Sequence, residues 1–267
     1  MLRHPAVAGA FYDATKAGLE KTLKKLTEQV ENKTTCLGVV SPHAGYIYSG
    51  PVAGKVFSAI NIPDTVVILA PNHTGQGHAF SIWDQGKWQM PLGDVQVDAE
   101  LCLLIEKESD VVVADASAHL REHSAEVQVP FLQYFNPGVR IAPVIIGSTD
   151  FDELKDFGVH LADAVRKHGK ETLIVASSDM THYETDTSAR KKDNLAIAEI
   201  LALDEGGLYD VVHKYGITMC GFAPTIAMLA CVKALGAKEA KLIKYQTSGE
   251  VSGDYNQVVG YAGIVIA

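Results

Sequence analysis

Short apolar runs alternate along this chain with segments whose apolar residues recur at helical spacing. Residues 65–70 and 172–177 are apolar almost throughout, which is typical of strands buried on both faces of a sheet. Leu19, Leu23 and Leu26 recur at intervals of four and three residues and predict one face of a helix over residues 16–30. The chain therefore alternates between strands and helices.

The same two patterns recur along the rest of the chain. Further strands are predicted at 37–41, 111–114, 140–146, 241–246 and 258–266. Further helices are predicted at 51–60, 98–108, 122–135, 150–168, 193–203, 205–215 and 220–235. Pro130 must start, kink or end its helix. Residues 79–97, which include both tryptophans, are predicted to form a β excursion or a lid.

This alternation predicts an α/β fold, namely a three-layer α/β/α sandwich around a largely parallel or mixed sheet. No internal repeat, linker or low-complexity segment interrupts the pattern. We therefore expect residues 1–267 to form a single domain.

Two predicted strands are followed by histidines in similar contexts. His43 and His73 each have a proline in the two residues before them and a glycine two residues after them. The carboxyl ends of strands in an open α/β sheet border the ligand crevice, so two matched histidines there indicate a metal or catalytic site. The alternative is a pair of buried histidines that cap neighbouring loops.

A third predicted strand ends in the cluster Ser177–His182. Asp179 lies three residues before His182, a spacing at which a carboxylate can orient an imidazole or support a metal ligand. Alternatively, Ser178 or Asp179 caps a short helix that contains His182.

Other candidates are less specific. His123 and Glu126 would lie on one face of the helix predicted at 122–135, although such pairs are common on solvated helices. Tyr46 is expected either to line a pocket beside His43 or to pack against the following helix. Cys220 precedes an apolar helix, whose free amide groups favour a thiolate that acts as metal ligand or nucleophile. The alternative is an ordinary buried cysteine, the interpretation we favour for the other three.

Composition excludes several functions. The net charge is −9, and the densest basic run, Arg190–Lys192, is followed at once by Asp193, so nucleic-acid binding is not expected. The longest apolar run, at 217–232, is interrupted and too short to span a bilayer. The four cysteines show no metal-knuckle spacing, and no phosphate-binding or dinucleotide-binding glycine motif occurs. We expect a cytoplasmic protein that does not bind membranes.

Six motifs, in this order, resemble those of one family. They are Arg3–Tyr12, Ser41–Tyr46, Glu122–Glu126, Ser177–His182, Thr218–Gly221 and Gly260–Gly263. On these residues the chain is identified as a member of the Memo family, whose microbial members are called AmmeMemoRadiSam system protein B. That family is similar to the class III extradiol dioxygenases, the LigB-like proteins.

The resemblance implies a metal site. His43, His73 and Cys220 match the metal-binding or vestigial triad, and Asp179 and His182 match the residues beside it. In the dioxygenases a histidine placed like His182 acts as acid and base, and a glutamate is the third ligand. The resemblance implies Fe(II) first, with copper or zinc as alternatives, because a thiolate favours softer ions. It leaves ring cleavage in doubt, and it leaves open whether Glu126 supplies a carboxylate.

Three functions follow. The first is a metal-dependent redox or dioxygenase-like enzyme acting on a small molecule, with His182 moving a proton and with His123, Glu126 and Tyr46 supporting the metal or substrate. The second is a non-catalytic protein that binds a metal, peptide or partner in the old enzyme pocket. The third is a Cys-His hydrolase. Family analogy also implies an AMMECR1-like protein and a radical SAM protein as partners.

Overall fold

A computed structural model describes the whole chain, residues 1–267. The strands, numbered in chain order, are β1 (Leu2–Arg3), β2 (Gly38–Ser41), β3 (Thr65–Pro71), β4 (Phe80–Ile82), β5 (Lys87–Trp88), β6 (Val95–Val97), β7 (Val112–Ala114), β8 (Arg140–Ile146), β9 (Thr172–Ser177), β10 (His182–Glu184), β11 (Ala240–Thr247) and β12 (Val258–Ile266). The helices are α1 (Lys16–Leu26), α2 (Tyr46–Ala59), α3 (Ala99–Glu108), α4 (Val129–Phe135), α5 (Phe151–His168), α6 (Asp186–Leu201), α7 (Glu205–Tyr215), α8 (Phe222–Leu235) and α9 (Gly249–Ser252). Short 3₁₀ turns lie at Ala116–Ala118 and Glu126–Gln128.

The central sheet is mixed, with a parallel middle. Its order is β1-β5-β6-β8-β3-β9-β2-β12-β10, and β11 also pairs with β12. Strands β6, β8, β3, β9 and β2 are parallel, whereas β12 and β11 extend the sheet antiparallel. β3 and β9 are buried along their whole length, as their apolar sequences predict. The predicted largely parallel or mixed sheet is confirmed.

Helices cover both faces of this sheet. A side chain at Gly38 in β2 would meet Met228 and Val232 of α8, and one at Gly263 in β12 would meet Val56 of α2. Gly38 pairs with Ile266, so Gly263, an odd number of positions away, points to the opposite face. α5 packs on α8, and α1 and α4 pack on α2. The three-layer α/β/α sandwich is therefore confirmed.

Several element boundaries differ from the prediction. α1 ends at Leu26, since Thr27 is already extended and its hydroxyl bonds to the Leu23 carbonyl, and Val30 lies outside the helix. α2 begins at Tyr46, so Pro51 is inside it and not at its start. α6 begins at Asp186, where the hydroxyl of Thr185 accepts from the Ser188 amide.

The helix predicted at 122–135 is wrong over its first half. Residues 122–125 are not helical, because the Glu122 carboxylate accepts the amides of His123 and Ser124. The helix itself begins at Val129, and Pro130 lies in its first turn, where its missing N–H removes no bond. His123 and Glu126 consequently do not share a helical face.

Residues 79–97 belong to the sheet. They contain β4, β5 and β6, which confirms the predicted β excursion. Trp83 and Trp88 are buried and pack edge-on against each other and against His119. This segment is therefore core and not a lid. No helix of the protein combines the length and the apolar character that crossing a membrane requires.

Candidate functional site

The candidate residues lie just after the carboxyl ends of three adjacent strands. β9 lies between β2 and β3 and runs parallel to both. His43, Asp179 and His73 each follow the last residue of their strand by two positions. Because these strands are parallel and in register, the three loops meet above the carboxyl ends of the strands.

Three imidazoles and one thiol converge there. His43, His73 and His123 each offer a ring nitrogen, and these nitrogens lie within 4.8 Å of one another. Cys220 Sγ lies 3.2 Å from His43 Nε2. The structure thus brings His43 and His73 together with His123, for which the sequence suggested only a supporting role, and it places Cys220 next to His43.

Hydrogen bonds fix the orientation of His43. Ser177 Oγ donates its single proton to the Ser124 carbonyl at 2.7 Å and accepts from Gln128 Nε2 at 2.8 Å. It must therefore also accept from His43 Nδ1, which lies 2.9 Å away. His43 Nε2 then carries the lone pair that faces Cys220, as a metal ligand requires. Burial, together with His73 and His123, lowers the pKa of His43 well below its ordinary value, which favours the neutral ring.

Glu122 holds the His73 ring and lies beside the His123 ring. Its Oε1 accepts from His73 Nδ1 at 2.9 Å, and its Oε2 accepts from the His73 amide at 2.6 Å. His123 Nδ1 is 3.3 Å from the same Oε1. Burial is the largest single influence on the pKa of Glu122 and would raise it, but the hydrogen bond from His73, the charge of that ring, the Ser124 amide and His123 together outweigh burial and hold the pKa at about 2. The carboxylate therefore stays charged and leaves His73 Nε2 free.

Glu122 was not among the site residues predicted from the sequence. The signal that could have found it is a carboxylate directly before a candidate histidine, but the helix predicted at 122–135 pointed to the pair His123 and Glu126 instead. A carboxylate that receives the Nδ1 proton of a ligand histidine sets the tautomer and raises ligand basicity.

Replacing Glu122 with glutamine is expected to weaken metal binding 10–100-fold, on the scale measured for such carboxylates. The amide can still accept from the His73 ring, but it lacks the charge and cannot accept through both ends. Competition with a chelator of known affinity measures the change. Glu106→Gln, a carboxylate on α3 outside this cluster, is the control and should bind metal like the wild type. Equal affinity in both variants would exclude this role for Glu122.

Asp179 supports His43 and Cys220, not His182. Its carboxylate accepts from the amides of His43 at 2.8 Å and Ala44 at 3.3 Å. Its own amide donates to Cys220 Sγ at 3.3 Å. Burial raises the pKa of Asp179 to about 6, against the effect of these two amides. The predicted orientation of His182 by Asp179 is therefore wrong: the carboxylate bonds to the His43 loop.

A close backbone approach places Cys220. A side chain at Gly221 would overlap the Ser177 carbonyl and the Ser178 side chain. The Gly221 amide also donates to Ser178 Oγ at 3.1 Å. The start of α8 can therefore lie directly on the end of β9, which brings Cys220 to the histidines.

His182 lies at the rim of the site. A carbonyl only accepts, so His182 Nδ1 donates to the Thr218 carbonyl at 2.9 Å, and Nε2 keeps its lone pair. His182 begins β10, so the alternative of a short capped helix is wrong. The next residue, Tyr183, is 74 % exposed and has φ +58°, a strained conformation for a bulky side chain.

Two expected site residues lie elsewhere. Glu126 is buried, and its carboxylate accepts from Arg3 Nη1 at 2.6 Å and from Tyr12 Oη at 2.5 Å. Tyr46 donates its hydroxyl to the Val127 carbonyl at 2.8 Å and packs on Phe131. The structure therefore assigns both residues to the packing beneath the site, not to the group of ring nitrogens and the thiol sulfur.

A pocket of about 350 Å³ opens over these groups. It is lined by Phe11, His43, Ala44, Gly45, His73, His123, Asp179, His182, Tyr183, Val259 and Tyr261. This volume is at the lower end of the range for small-molecule sites. Imidazole and thiol donors suit iron, copper or zinc and do not suit magnesium or calcium, which prefer oxygen.

Comparisons with known proteins agree with one another. A family model described as Memo-like protein matches residues 3–265. A MEMO1 family protein of Methanopyrus kandleri is 44% identical over 99% of both chains. One from Methanothermobacter thermautotrophicus is 42% identical over 98% of this chain and 99% of its own. One from Methanosarcina barkeri is 44% identical over 99% of this chain and all of its own.

One solved structure is similar in fold. The crystal structure of an uncharacterized protein from Escherichia coli K12 superimposes with a TM-score of 0.56 at 14% identity. The match covers 86% of this chain and 99% of that one. At this identity the likeness concerns the fold alone.

Proposed function

The chain belongs to the Memo family, and from that membership and its site geometry we propose that it is a metal-dependent oxidoreductase acting on a small molecule. The observation that carries the proposal is the convergence of His43, His73 and His123 above the carboxyl ends of the strands, with Cys220 Sγ next to His43 Nε2. Hydrogen bonds hold the Nδ1 protons of His43 and His73 on Ser177 and Glu122 and leave their Nε2 atoms free. Such preorganised neutral imidazoles are typical of metal sites.

We propose Fe(II) as the cofactor. His43, His73 and Cys220 would hold it, with His123 as a fourth candidate ligand. Iron in such a site supplies electron exchange with a bound small molecule. The soft sulfur, which stands where ring-cleaving dioxygenases have a carboxylate, argues against ring cleavage by their mechanism and for a different redox reaction.

The chain's own side chains bind the substrate and move a proton. Phe11, Val259 and Tyr261 supply an apolar wall, suited to a small and flat molecule. His182 Nε2 carries a lone pair beside this wall, so it takes a proton from the substrate and returns it later. Thr218 holds the ring in that orientation.

The hydrolase alternative is disfavoured. A nucleophilic cysteine needs a lowered pKa. Burial and the nearby Asp179 carboxylate instead raise the pKa of the Cys220 thiol well above its ordinary value. A bound cation is what would favour the thiolate here. The AMMECR1-like and radical SAM partners stay predictions made from the family resemblance.

Metal analysis of anaerobically purified protein tests the proposal. We expect about one iron per chain in the wild type and its loss in Cys220→Ser, because the ligand sulfur is gone. Cys36→Ser is the matched control, since Cys36 is buried away from the histidines. His182→Gln should retain iron but lose about 10²–10⁴-fold in O₂ consumption with catechol-type substrates, the scale of general acid–base catalysis. Full turnover by metal-free protein would end the proposal.

A further inference from the structure

A second group of side chains of the types that bind metals lies at the other end of the strands, where the parallel strands begin. Asp98 is the N-cap of α3, Glu100 lies in the first turn of that helix, and His168 is the last residue of α5. Asp98 contacts Thr65, the first residue of β3, whereas His73 follows the last residue of that strand. At about 3.3 Å per strand residue, the two groups are roughly 20 Å apart.

We propose that Asp98, Glu100 and His168 form a second metal site, selective for zinc or a similar divalent transition ion. One ligand atom from each residue lies within 4.8 Å of the other two. His168 Nε2 is 3.6 Å from Asp98 Oδ2 and 3.9 Å from Glu100 Oε2. Ligands about 2.0–2.2 Å from a tetrahedral zinc ion stand roughly 3.3–3.6 Å apart, so small side-chain shifts complete the geometry.

His168 is the observation that points to a ligand. Its side chain has no exposed surface, and neither ring nitrogen has a hydrogen-bond partner. An unpaired polar group in such a position costs free energy. Binding an ion through Nε2, the nitrogen directed at both carboxylates, offsets that cost.

Asp98 is already held in place for this role. Its Oδ1 accepts from the Leu101 amide at 3.2 Å, and its Oδ2 accepts from Thr65 Oγ1 at 3.1 Å. Oδ2 is also the oxygen nearest to His168. Ligand carboxylates anchored by further hydrogen bonds are a regular feature of metal sites.

The nitrogen and carboxylate donors define the class of ion. One imidazole and two carboxylates suit zinc and are a poor match for Cu(I), which prefers sulfur. Lys170 Nζ bonds to Glu100 Oε2 at 2.8 Å and is the competing cation. Both of these side chains are more than half exposed, so the lysine can swing into solvent when the ion binds.

Bound zinc would tie the start of α3 to the end of α5. These helices already pack against each other. An ion that binds only the folded chain raises its stability with concentration, so zinc should raise the Tm. The role follows from the position: this site fastens the layer of helices and lies far from the His43 site.

Zinc titration of the full chain by calorimetry, with metal counted after desalting, tests the proposal. We expect Glu100→Gln and His168→Gln each to bind one zinc fewer per chain than the wild type, or to bind it at least about tenfold more weakly. Glu100 is 66% exposed, so its variant should fold even if His168→Gln does not. Lys170→Gln should bind zinc more tightly, because the competing charge is gone.

Glu108→Gln is the matched control. Glu108 is on the same helix and pairs with Lys167 at 2.6 Å, as Glu100 pairs with Lys170, but it is outside the cluster. Its zinc stoichiometry should equal that of the wild type. Identical stoichiometry and affinity in wild type, Glu100→Gln and Glu108→Gln would overturn the proposal. If the His43 site binds no metal, the difference in zinc binding between the wild type and Glu100→Gln is still expected. The proposed function and the proposed zinc site can therefore fail independently.

Discussion

Replacing Glu126 with glutamine is expected to lower the free energy of unfolding by about 3–5 kcal/mol, the range for breaking one partner of a buried ion pair. Neither the Glu126 nor the Arg3 side chain has exposed surface. The substitution leaves the Arg3 guanidinium charged and without its counter-charge in the core. It also replaces one carboxylate oxygen with an N–H₂ group, which then faces N–H or O–H groups that donate hydrogen bonds to the carboxylate in the wild type.

Glu126 closes a network that fastens the start of the chain beneath the site. Its oxygens accept the Ala6 amide at 2.7 Å and the Val7 amide at 3.1 Å. Arg3 in turn donates Nη2 to the Glu122 carbonyl at 2.7 Å and Nε to the His119 carbonyl at 2.9 Å. The Arg3–Glu126 pair thus supports the loop that carries Glu122 and His123.

Urea unfolding of the wild type and Glu126→Gln measures this effect. Glu20→Gln is the control, because Glu20 is half exposed on α1 and lies 4.0 Å from Lys16. Its effect should stay within about 0.5 kcal/mol. A loss below about 1 kcal/mol for Glu126→Gln would show that water or a rearranged partner satisfies Arg3.

Replacing His73 with alanine is expected to weaken metal binding at the His43 site by at least about 100-fold, beyond the range found for supporting residues alone. The change removes one imidazole from the group of donors. It also deprives the Glu122 carboxylate of its hydrogen bond to the His73 ring.

His78→Ala is the matched control for this prediction. His78 lies five positions further along the chain, is 61% exposed and is outside the metal-binding group. Chelator competition with iron under anaerobic conditions compares the two variants with the wild type. Near-normal affinity in His73→Ala would show that His43, His123 and Cys220 suffice, and would remove His73 from the ligand set.

Local sequence predicted most of the fold because burial in this fold follows simple periodicities. Strands such as β3 and β9 are apolar almost throughout and buried at every position, as expected for the middle of a sheet covered on both faces. The boundaries were less predictable. The Thr27 hydroxyl bonds to the Leu23 carbonyl at the end of α1, and the Glu122 carboxylate accepts the amides of His123 and Ser124 where a helix was predicted. Both differences depend on how one side chain bonds to the neighbouring backbone.

The candidate site was predictable where it follows strand ends and unpredictable where it follows distant contacts. His43 and His73 can be recognised in the sequence because they occupy matching positions after two buried strands. His123 and Glu122 cannot be recognised in this way, because their spacing from Glu126 suits a helix equally well. No residue near Glu126 in the sequence indicates that its ion-pair partner is Arg3, which is 123 positions away along the chain.

By itself the sequence determined the α/β/α layers, the family and the edge of the sheet at which chemistry is to be sought. These features follow from local apolar patterns and from motifs that do not depend on remote neighbours. Only the tertiary structure decided which carboxylate orients the histidines, that His123 joins them, and that Asp98 and His168 meet at the other edge. Such pairings bring together atoms from separate loops, and their geometry is set by the packing of whole strands and helices.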